Sequence, residues 1–161
     1  LMASQQVYRY TLVFHLLNQY SMELQEVLNQ SLYEYNCLAN VAKWYHWNVT
    51  GDNFTELHIF FGNIYDQAIK DIDLIAERLR ALSLEINLES MNFDSKEEPI
   101  DQSMTSLSMI ENLLFKVKVS LETSKQIIQI AIDNDDFGTQ NMYGDLMQNA
   151  EKLAWMLKSF L

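Results

Sequence analysis

The stretch KWYHWNVTGDNFTELH, residues 43–58, decides the fold, because it contains the end of one long helical pattern and the start of the next. The end lies at residues 48–51, where Gly51 can take the left-handed conformation that closes a helix. Asp52 or Asn53 follows at the position where a side chain caps the next helix. The stretch therefore predicts two helices joined by a tight turn.

Apolar residues recur at spacings of three and four along four segments, which predicts four helices. The helices are expected over about residues 20–48, 54–82, 102–132 and 139–161. Residues 83–101 break the pattern and contain Pro99, so they are expected to form a long connection with room for one short helix. Two helices, a long crossover and two further helices form the ferritin-like type of four-helix bundle. We therefore predict an all-α fold of this type as one domain over residues 1–161, with residues 1–18 forming an arm or a short extra helix.

The composition excludes several other classes of protein. Four Gly and one Pro in 161 residues are too few for the frequent turns of a β-sandwich or barrel. No run of 18 apolar residues is present, so no membrane span is expected. The opening LMASQQVYRY has no basic segment followed by an apolar stretch, and no signal peptide is expected. Cys37 is the one cysteine, so no internal disulfide can form and we expect a cytoplasmic protein.

The formal net charge of −11 argues against DNA or an anionic membrane as the main partner. DNA compaction would require a tail rich in Lys and Arg, but Arg9 is the one Lys or Arg in the first 20 residues and Lys158 the one in the last four. An acidic protein attracts cations, although acidic charge also serves simply to keep a protein soluble. DNA binding is therefore not expected, and cation binding is one of two open interpretations.

Two histidines and two carboxylates have the character of metal ligands. His46 and His58 flank the predicted turn, and Asp73 and Glu77 share one face of the second helix because they are four residues apart. Imidazole and carboxylate together suit iron, manganese or zinc. His58 and Asp73 are 15 residues apart on one helix, or about 22 Å at a rise of ~1.5 Å per residue. A site that uses all four residues must therefore be shared between two subunits, most simply across a two-fold axis.

Structural roles are open for each of these groups. The histidines could be hydrogen-bonded side chains of a core or an interface, and the carboxylates could form ion pairs on a solvated helix face. The basic residues available for such pairs are Lys70, Arg78 and Arg80. The acidic run at residues 133–136 could line a pore that draws cations inward, or could cap the fourth helix. Cys37 is expected to be buried, and His15 to be structural or exposed.

Three motifs now identify a family resemblance. Residues 43–58 resemble the Dps pattern His-Trp-Asn-Val-x-Gly, followed by Phe and then Leu-His. Residues 73–78, Asp-Leu-Ile-Ala-Glu-Arg, resemble the Asp-x-x-Ala-Glu-Arg of the same family. Residues 151–157 resemble its closing Glu-Lys-x-x-Trp-Met-Leu. The three motifs lie in the expected order and spacing over most of residues 20–161.

The resemblance implies a mini-ferritin of twelve subunits around a cavity, which oxidises Fe(II) with hydrogen peroxide or dioxygen and stores the ferric product. By this resemblance the ferroxidase ligands are His46, His58, Asp73 and Glu77, shared across the two-fold interface of a homo-oligomer. Iron is then the metal, and the activity protects against peroxide stress. Trp47, beside the iron site, is implied to quench radicals, whereas from the sequence alone bundle-core positions are expected for Trp47 and Trp155.

Position 62 departs from the pattern of the family. A carboxylate usually lies one helical turn after the second histidine, and this chain has Gly62 there. A glycine within a helix contributes no ligand and costs about 1 kcal/mol relative to alanine. The alternative function is therefore a metal-binding shell with weak or absent ferroxidase activity. In that case Gly62→Asp is expected to tighten iron binding or to accelerate oxidation.

Overall fold

The computed structural model describes residues 2–91 and 103–161, with side chains from residue 18 onward. These residues form four long helices and one short 3-10 turn, and the described part contains no strand. The helices are α1 (Met2–Asn48), α2 (Phe54–Ala81), α3 (Ser106–Asp133) and α4 (Phe137–Lys158), and the 3-10 turn spans Leu88–Met91. The predicted all-α four-helix bundle is thereby confirmed. None of the described helices is long and apolar enough to cross a lipid bilayer.

The first helix is longer than predicted. The sequence suggested an arm or a separate short helix for residues 1–18, but α1 runs without a break from Met2 to Asn48. No glycine or proline interrupts these residues, so nothing in the chain ends the helix before the turn at residue 49. The side chain of His15 lies outside the described side chains.

The long connection between α2 and α3 is held against α1 by a buried asparagine. Asn29 donates from Nδ2 to the carbonyl of Glu85 at 2.8 Å and accepts at Oδ1 from the Asn87 amide at 2.8 Å. The hydroxyl of Ser90 donates to the same Oδ1 at 3.0 Å. The 3-10 turn matches the short helix for which the sequence left room, whereas Pro99 lies outside the described residues.

The helices pack as two antiparallel pairs, α1 with α2 and α3 with α4, and α1 also packs along α3. The end of the bundle beneath the α1–α2 turn is filled by apolar side chains from all four helices. The largest of these are Tyr45, Leu57, Phe61, Leu113 and Leu157, each at most 1% exposed. This packing makes a firm base for the turn that carries the two histidines.

The predicted turn has the expected backbone. Gly51 adopts φ +103°, a conformation that a side chain would strain, and the amide of Phe54 donates to its carbonyl at 3.0 Å. Asn53 is the N-cap residue of α2, as one of the two predicted candidates, but its side chain makes no capping hydrogen bond. At the start of α3, by contrast, Thr105 Oγ1 accepts from the amide of Ser108 at 3.2 Å.

Candidate metal centre

His46 and His58 meet at the α1–α2 turn. His46 lies in the last turn of α1 and His58 in the second turn of α2, and both side chains are half-buried. Val49, 1% exposed, fixes the turn between them by packing into the core and by donating from its amide to the carbonyl of Tyr45 at 2.9 Å. The predicted proximity of the two histidines is therefore present within one chain.

The two histidines are joined by a reciprocal pair of hydrogen bonds. Nδ1 of His46 lies 2.6 Å from the carbonyl oxygen of His58, and Nδ1 of His58 lies 2.6 Å from the carbonyl oxygen of His46. A carbonyl oxygen only accepts, so each Nδ1 must carry the proton and donate it. In the neutral imidazoles this fixes the tautomer and leaves each Nε2 with a free lone pair. This hydrogen-bonding pattern is the one that orients histidine ligands in metal sites.

The same contacts bind the end of α1 to the start of α2. The carbonyl of His46 lies in the last turn of α1, where carbonyl groups lack partners within the helix. The Nδ1–H of His58 supplies that partner. The imidazole rings are also stacked, with centroids 3.9 Å apart and planes 21° apart, and Phe54 stacks on the outer face of His58 at 5.1 Å. The pair thus has a structural role as well as two free ligand atoms.

The stacking restricts how a metal ion can bind. Each Nε2 lone pair lies in the plane of its own ring, and the two planes are nearly parallel. One ion cannot lie on both lone-pair directions, since it would have to lie in both planes. Either one imidazole rotates to share an ion, or each imidazole binds an ion of its own.

Gly62 lies against the His46 ring. A Cβ built on Gly62 would be 3.0 Å from Nδ1 and 3.1 Å from Cε1 of His46. These distances are shorter than the 3.5–4.0 Å that carbon atoms prefer. Any side chain at position 62 would therefore require the His46 imidazole to shift by a few tenths of an ångström, and the expected effect of Gly62→Asp stays a prediction.

Asp73 and Glu77 lie on the other half of α2 from His58. α2 is one continuous helix from Phe54 to Ala81, so the estimate of about 22 Å between His58 and Asp73 applies to an unbroken helix. Both carboxylates are exposed. Among the described side chains, no three His, Cys, Asp or Glu residues come close enough together to bind one ion. The chain thus brings the histidines together but keeps them apart from the acidic pair.

The basic residues near the acidic pair have other partners. Arg78 donates from Nη2 to Oδ1 of Asp136 at 2.6 Å and from Nε to Oγ1 of Thr139 at 2.9 Å. Arg80 donates from Nη1 to the carbonyl of Leu84 at 2.8 Å. Arg78 and Arg80 therefore bind groups other than Asp73 and Glu77, and the ion pairs that we considered with these two arginines are not formed among the described side chains.

The acidic run before α4 includes a helix cap. Asp136 is the N-cap residue, and its Oδ1 accepts from the Thr139 amide at 3.0 Å while its Oδ2 accepts from the Tyr20 hydroxyl at 2.8 Å. Burial alone would raise the pKa of this carboxyl, but the hydrogen bonds from Thr139 and Tyr20 and the charge of Arg78 lower it below its usual value. Of the two roles considered for this run, Asp136 performs the capping role.

The predicted core positions of Trp47 and Trp155 are wrong for the isolated subunit. Trp47 is 64% exposed and Trp155 is 65% exposed. The Lys43 ammonium lies 5.1 Å from the centroid of the Trp47 ring and 5.3 Å from that of Tyr65, within the range of cation–π attraction. Trp47 therefore lies on the surface one residue after His46. Cys37, by contrast, is buried as predicted.

One buried and one half-buried carboxylate escaped the sequence analysis. Asp71 is 8% exposed and accepts from Gln67 Nε2 at 2.9 Å, and burial raises the pKa of its carboxyl above the usual value. Burial likewise raises the pKa of Glu34, whose Oε1 accepts from Thr123 Oγ1 at 2.8 Å. The position of Asp71 was a usable signal, since it lies three residues after the buried Ala68 on the core face of α2.

Comparisons with known proteins agree with this architecture. Residues 25–161 match the sequence profile of the Ferritin-like domain family. The DNA protection during starvation protein 2 of Bacillus anthracis is 30% identical over 139 residues, which cover 84% of this chain and 94% of that protein. General stress protein 20U of Bacillus subtilis is 30% identical over 144 residues, which cover 88% and 99%.

Solved structures give the same result. The crystal structure of a DPS protein from Vibrio cholerae O1, described as a member of a broad superfamily of ferritin-like diiron-carboxylate proteins, is 30% identical. It superposes with a TM-score of 0.80 over 88% of this chain and 91% of that chain. Antigen TpF1 from Treponema pallidum, 22% identical, shares the fold with a TM-score of 0.82 over 89% of this chain and 94% of that chain.

Proposed function

Because the chain belongs to the Dps family of ferritin-like proteins, we propose that it is the subunit of a hollow shell that binds Fe(II), oxidises it and stores the ferric product. The observation that carries this proposal is the reciprocal hydrogen bonding of His46 and His58. It leaves the Nε2 lone pairs of both imidazoles free beside the turn between α1 and α2, in a tautomer in which Nε2 can bind a metal ion.

The second half of the site is proposed to come from a partner subunit. No carboxylate of the same chain completes a site with the histidines among the described residues, and Asp73 and Glu77 are about 22 Å along α2 from His58. A two-fold axis that brings the α1–α2 turn of one subunit to the acidic pair of another makes two equal sites. The proposed assembly is a dodecamer, as the family resemblance implies.

Exposed apolar side chains around the histidines support a covering partner. Trp47 and Ile59, 64% and 56% exposed, lie next in sequence to His46 and His58, and Phe54 stacks on His58 while 45% exposed. Apolar surface of this kind around polar groups is typical of protein interfaces. A second copy of the chain would cover it and would exclude water from the metal.

The chemistry follows from the ligands. Iron is here a substrate: two Fe(II) ions each lose one electron to hydrogen peroxide, whose O–O bond breaks to give two water molecules after uptake of two protons. Dioxygen is the other candidate oxidant. The carboxylates of Asp73 and Glu77 favour oxidation because hard anionic oxygen binds the more highly charged Fe(III) more strongly. Consumption of peroxide in this way would protect the cell, and cytoplasmic localisation stays a prediction.

Trp47 is proposed as a side chain that intercepts radicals formed at the site. It follows His46 directly in sequence, and its ring is exposed in the isolated subunit. The neighbouring Lys43 ammonium lies over the ring and would disfavour a further positive charge there. A neutral radical, formed by loss of an electron together with the indole proton, is therefore the form that we expect.

Gly62 favours a second candidate within the same family, a shell that binds metal but oxidises little iron. Position 62 supplies no carboxylate beside His46, so each site has fewer anionic ligands from which Fe(III) gains stability. DNA compaction is a third candidate. The name of the Bacillus anthracis relative refers to DNA protection, but the net charge of −11 opposes binding to phosphates.

Stopped-flow oxidation of Fe(II) tests the proposal against the second candidate. Wild type is compared with His46→Ala and Asp73→Ala, after native mass spectrometry has established that all three form the same assembly. We expect rapid oxidation by wild type and a loss of at least about tenfold in each variant. If wild type oxidises Fe(II) no faster than buffer does, the function is that of the second candidate, a metal-binding shell. A monomeric native mass would contradict a site shared between subunits.

A further inference from the structure

Gly62 is unusual because its backbone does not require a glycine. α2 continues through this position without a break, and the glycine with a positive φ is Gly51. Glycine is the poorest helix former after proline, so its presence in the interior of a long helix calls for a reason in the packing. Gly144 in α4 offers a comparison, since a Cβ there would meet nothing within 4 Å.

The packing reason is the imidazole of His46. The edge of the ring that carries Nδ1 and Cε1 lies over Gly62, at 3.0 and 3.1 Å from the position where a Cβ would be. That same Nδ1 donates to the carbonyl of His58 at 2.6 Å, one helical turn before Gly62. The hydrogen bond brings the ring onto the surface of α2 at the point where the glycine leaves space.

We propose that Gly62 is a positioning residue for His46: its lack of a side chain lets the imidazole lie on α2, bound through Nδ1, with Nε2 held ready for a metal ion. The expected effect of Gly62 on metal binding rests on the proposed function, in which His46 is a metal ligand. A side chain at position 62 requires the ring to shift by a few tenths of an ångström, which strains its hydrogen bond to the His58 carbonyl and its stack with His58. The orientation of the His46 ring is then less firmly fixed.

A thermodynamic cycle on the assembled protein tests the contact without any metal. Gly144→Ala, the control, is expected to raise the Tm by roughly 2–4 °C through better helix propensity alone. Gly62→Ala should raise the Tm by a similar amount when His46 is already replaced by alanine, because the ring is then absent. In the background that retains His46, Gly62→Ala should give no increase or a decrease.

The cycle has a clear contrary result. Equal Tm changes for Gly62→Ala in both backgrounds would mean that the ring and the glycine do not interact, and the proposal would be wrong. If Gly62→Ala alone does not fold, folding of Gly62→Ala/His46→Ala supports the proposal, and failure of the double variant as well contradicts it.

Binding of Zn²⁺, measured by calorimetry, tests the consequence for the metal. We expect Gly62→Ala to weaken the affinity by about 10- to 100-fold, as loss of an orienting hydrogen bond to a ligand does, and Gly144→Ala to leave it unchanged. Unchanged affinity in Gly62→Ala would overturn the positioning role. It is also possible to observe unequal Tm changes in the two backgrounds and no Zn²⁺ binding by wild type. That result would contradict the proposed metal centre but would establish the contact between Gly62 and His46.

Discussion

The guanidinium of Arg78 and the carboxylate of Asp136 bind each other across the end of the bundle opposite the histidines, with Nη2 and Oδ1 2.6 Å apart. The contact joins the last turns of α2 to the first turn of α4. Gly138 lies against the guanidinium, and a Cβ there would lie 2.7 Å from Nη2 of Arg78, so that the guanidinium would have to shift. Asp136 thus serves as helix cap, ion-pair partner and acceptor for Tyr20 at once.

Asp136→Ala should lower the free energy of unfolding at neutral pH by roughly 1–2 kcal/mol through loss of the cap alone. The folded pKa of Asp136 is lowered, so the stabilisation is present above the usual aspartate pKa of about 4 and is lost as the pH falls through the folded value. Denaturant unfolding at several pH values measures this. The difference from wild type should shrink in acid.

Asp133→Ala is the control, since Asp133 is exposed at the end of α3 and a negative charge there gains nothing from the helix dipole. It should change stability little at any pH. Equal stability of Asp136→Ala and Asp133→Ala would contradict the role assigned to Asp136.

Glu34→Gln should stabilise the protein at neutral pH. Burial raises the pKa of Glu34, so the folded state disfavours its charge, and Oε2 has no hydrogen-bond partner among the described residues. An amide keeps the oxygen that accepts from Thr123 and Gln30, and it carries no charge. The stability that protonation gives wild type is present below the usual glutamate pKa of about 4.3 and is lost as the pH rises through the folded value.

The gain in Glu34→Gln should therefore disappear as the pH is lowered towards 4, and denaturant unfolding at pH 7 and pH 4.5 measures it. Glu111→Gln, on an exposed position of α3, should show no such dependence. A variant less stable than wild type at pH 7 would contradict the assignment of Glu34 as a disfavoured buried charge.

Zn²⁺ should inhibit the oxidation of Fe(II). Sites of nitrogen and oxygen ligands generally bind Zn²⁺ more tightly than Fe²⁺, and Zn²⁺ has no redox chemistry of its own. Inhibition should be complete near saturation of the site, and calorimetry should show that His58→Ala weakens Zn²⁺ binding. Oxidation at an unchanged rate in the presence of saturating Zn²⁺ would mean that iron reacts at some other place.

The helices and their order could be predicted where a boundary has a local cause. Gly51, with its positive φ, lies in the turn between α1 and α2, and α2 starts at Phe54 as expected. The start of α1 could not be predicted, since residues 1–18 contain no helix-breaking residue and weak apolar periodicity. Local signals identify helix ends well when a special backbone conformation is needed there.

The site was predicted in its residue types but not in its contacts. The spacing of His58 and Asp73 fixed their separation because a helix has a constant rise. The Nδ1 partners of the histidines, the space left by Gly62 and the exposure of Trp47 depend on how α1 meets α2 in three dimensions. A one-dimensional pattern does not contain that information. For Trp47, the general tendency of tryptophan to be buried predicted a core position, but the side chain is exposed in the isolated subunit.

Mixed shells test the shared site most directly. His46→Ala and Asp73→Ala subunits are dissociated, mixed in equal amounts and reassembled, with mixing established by native mass spectrometry. Across a two-fold axis each mixed pair has one site without either mutation and one site with both, so random pairing should restore about one quarter of wild-type Fe(II) oxidation. Mixed shells no more active than the two parent variants would contradict a site built from His46 of one subunit and Asp73 of another.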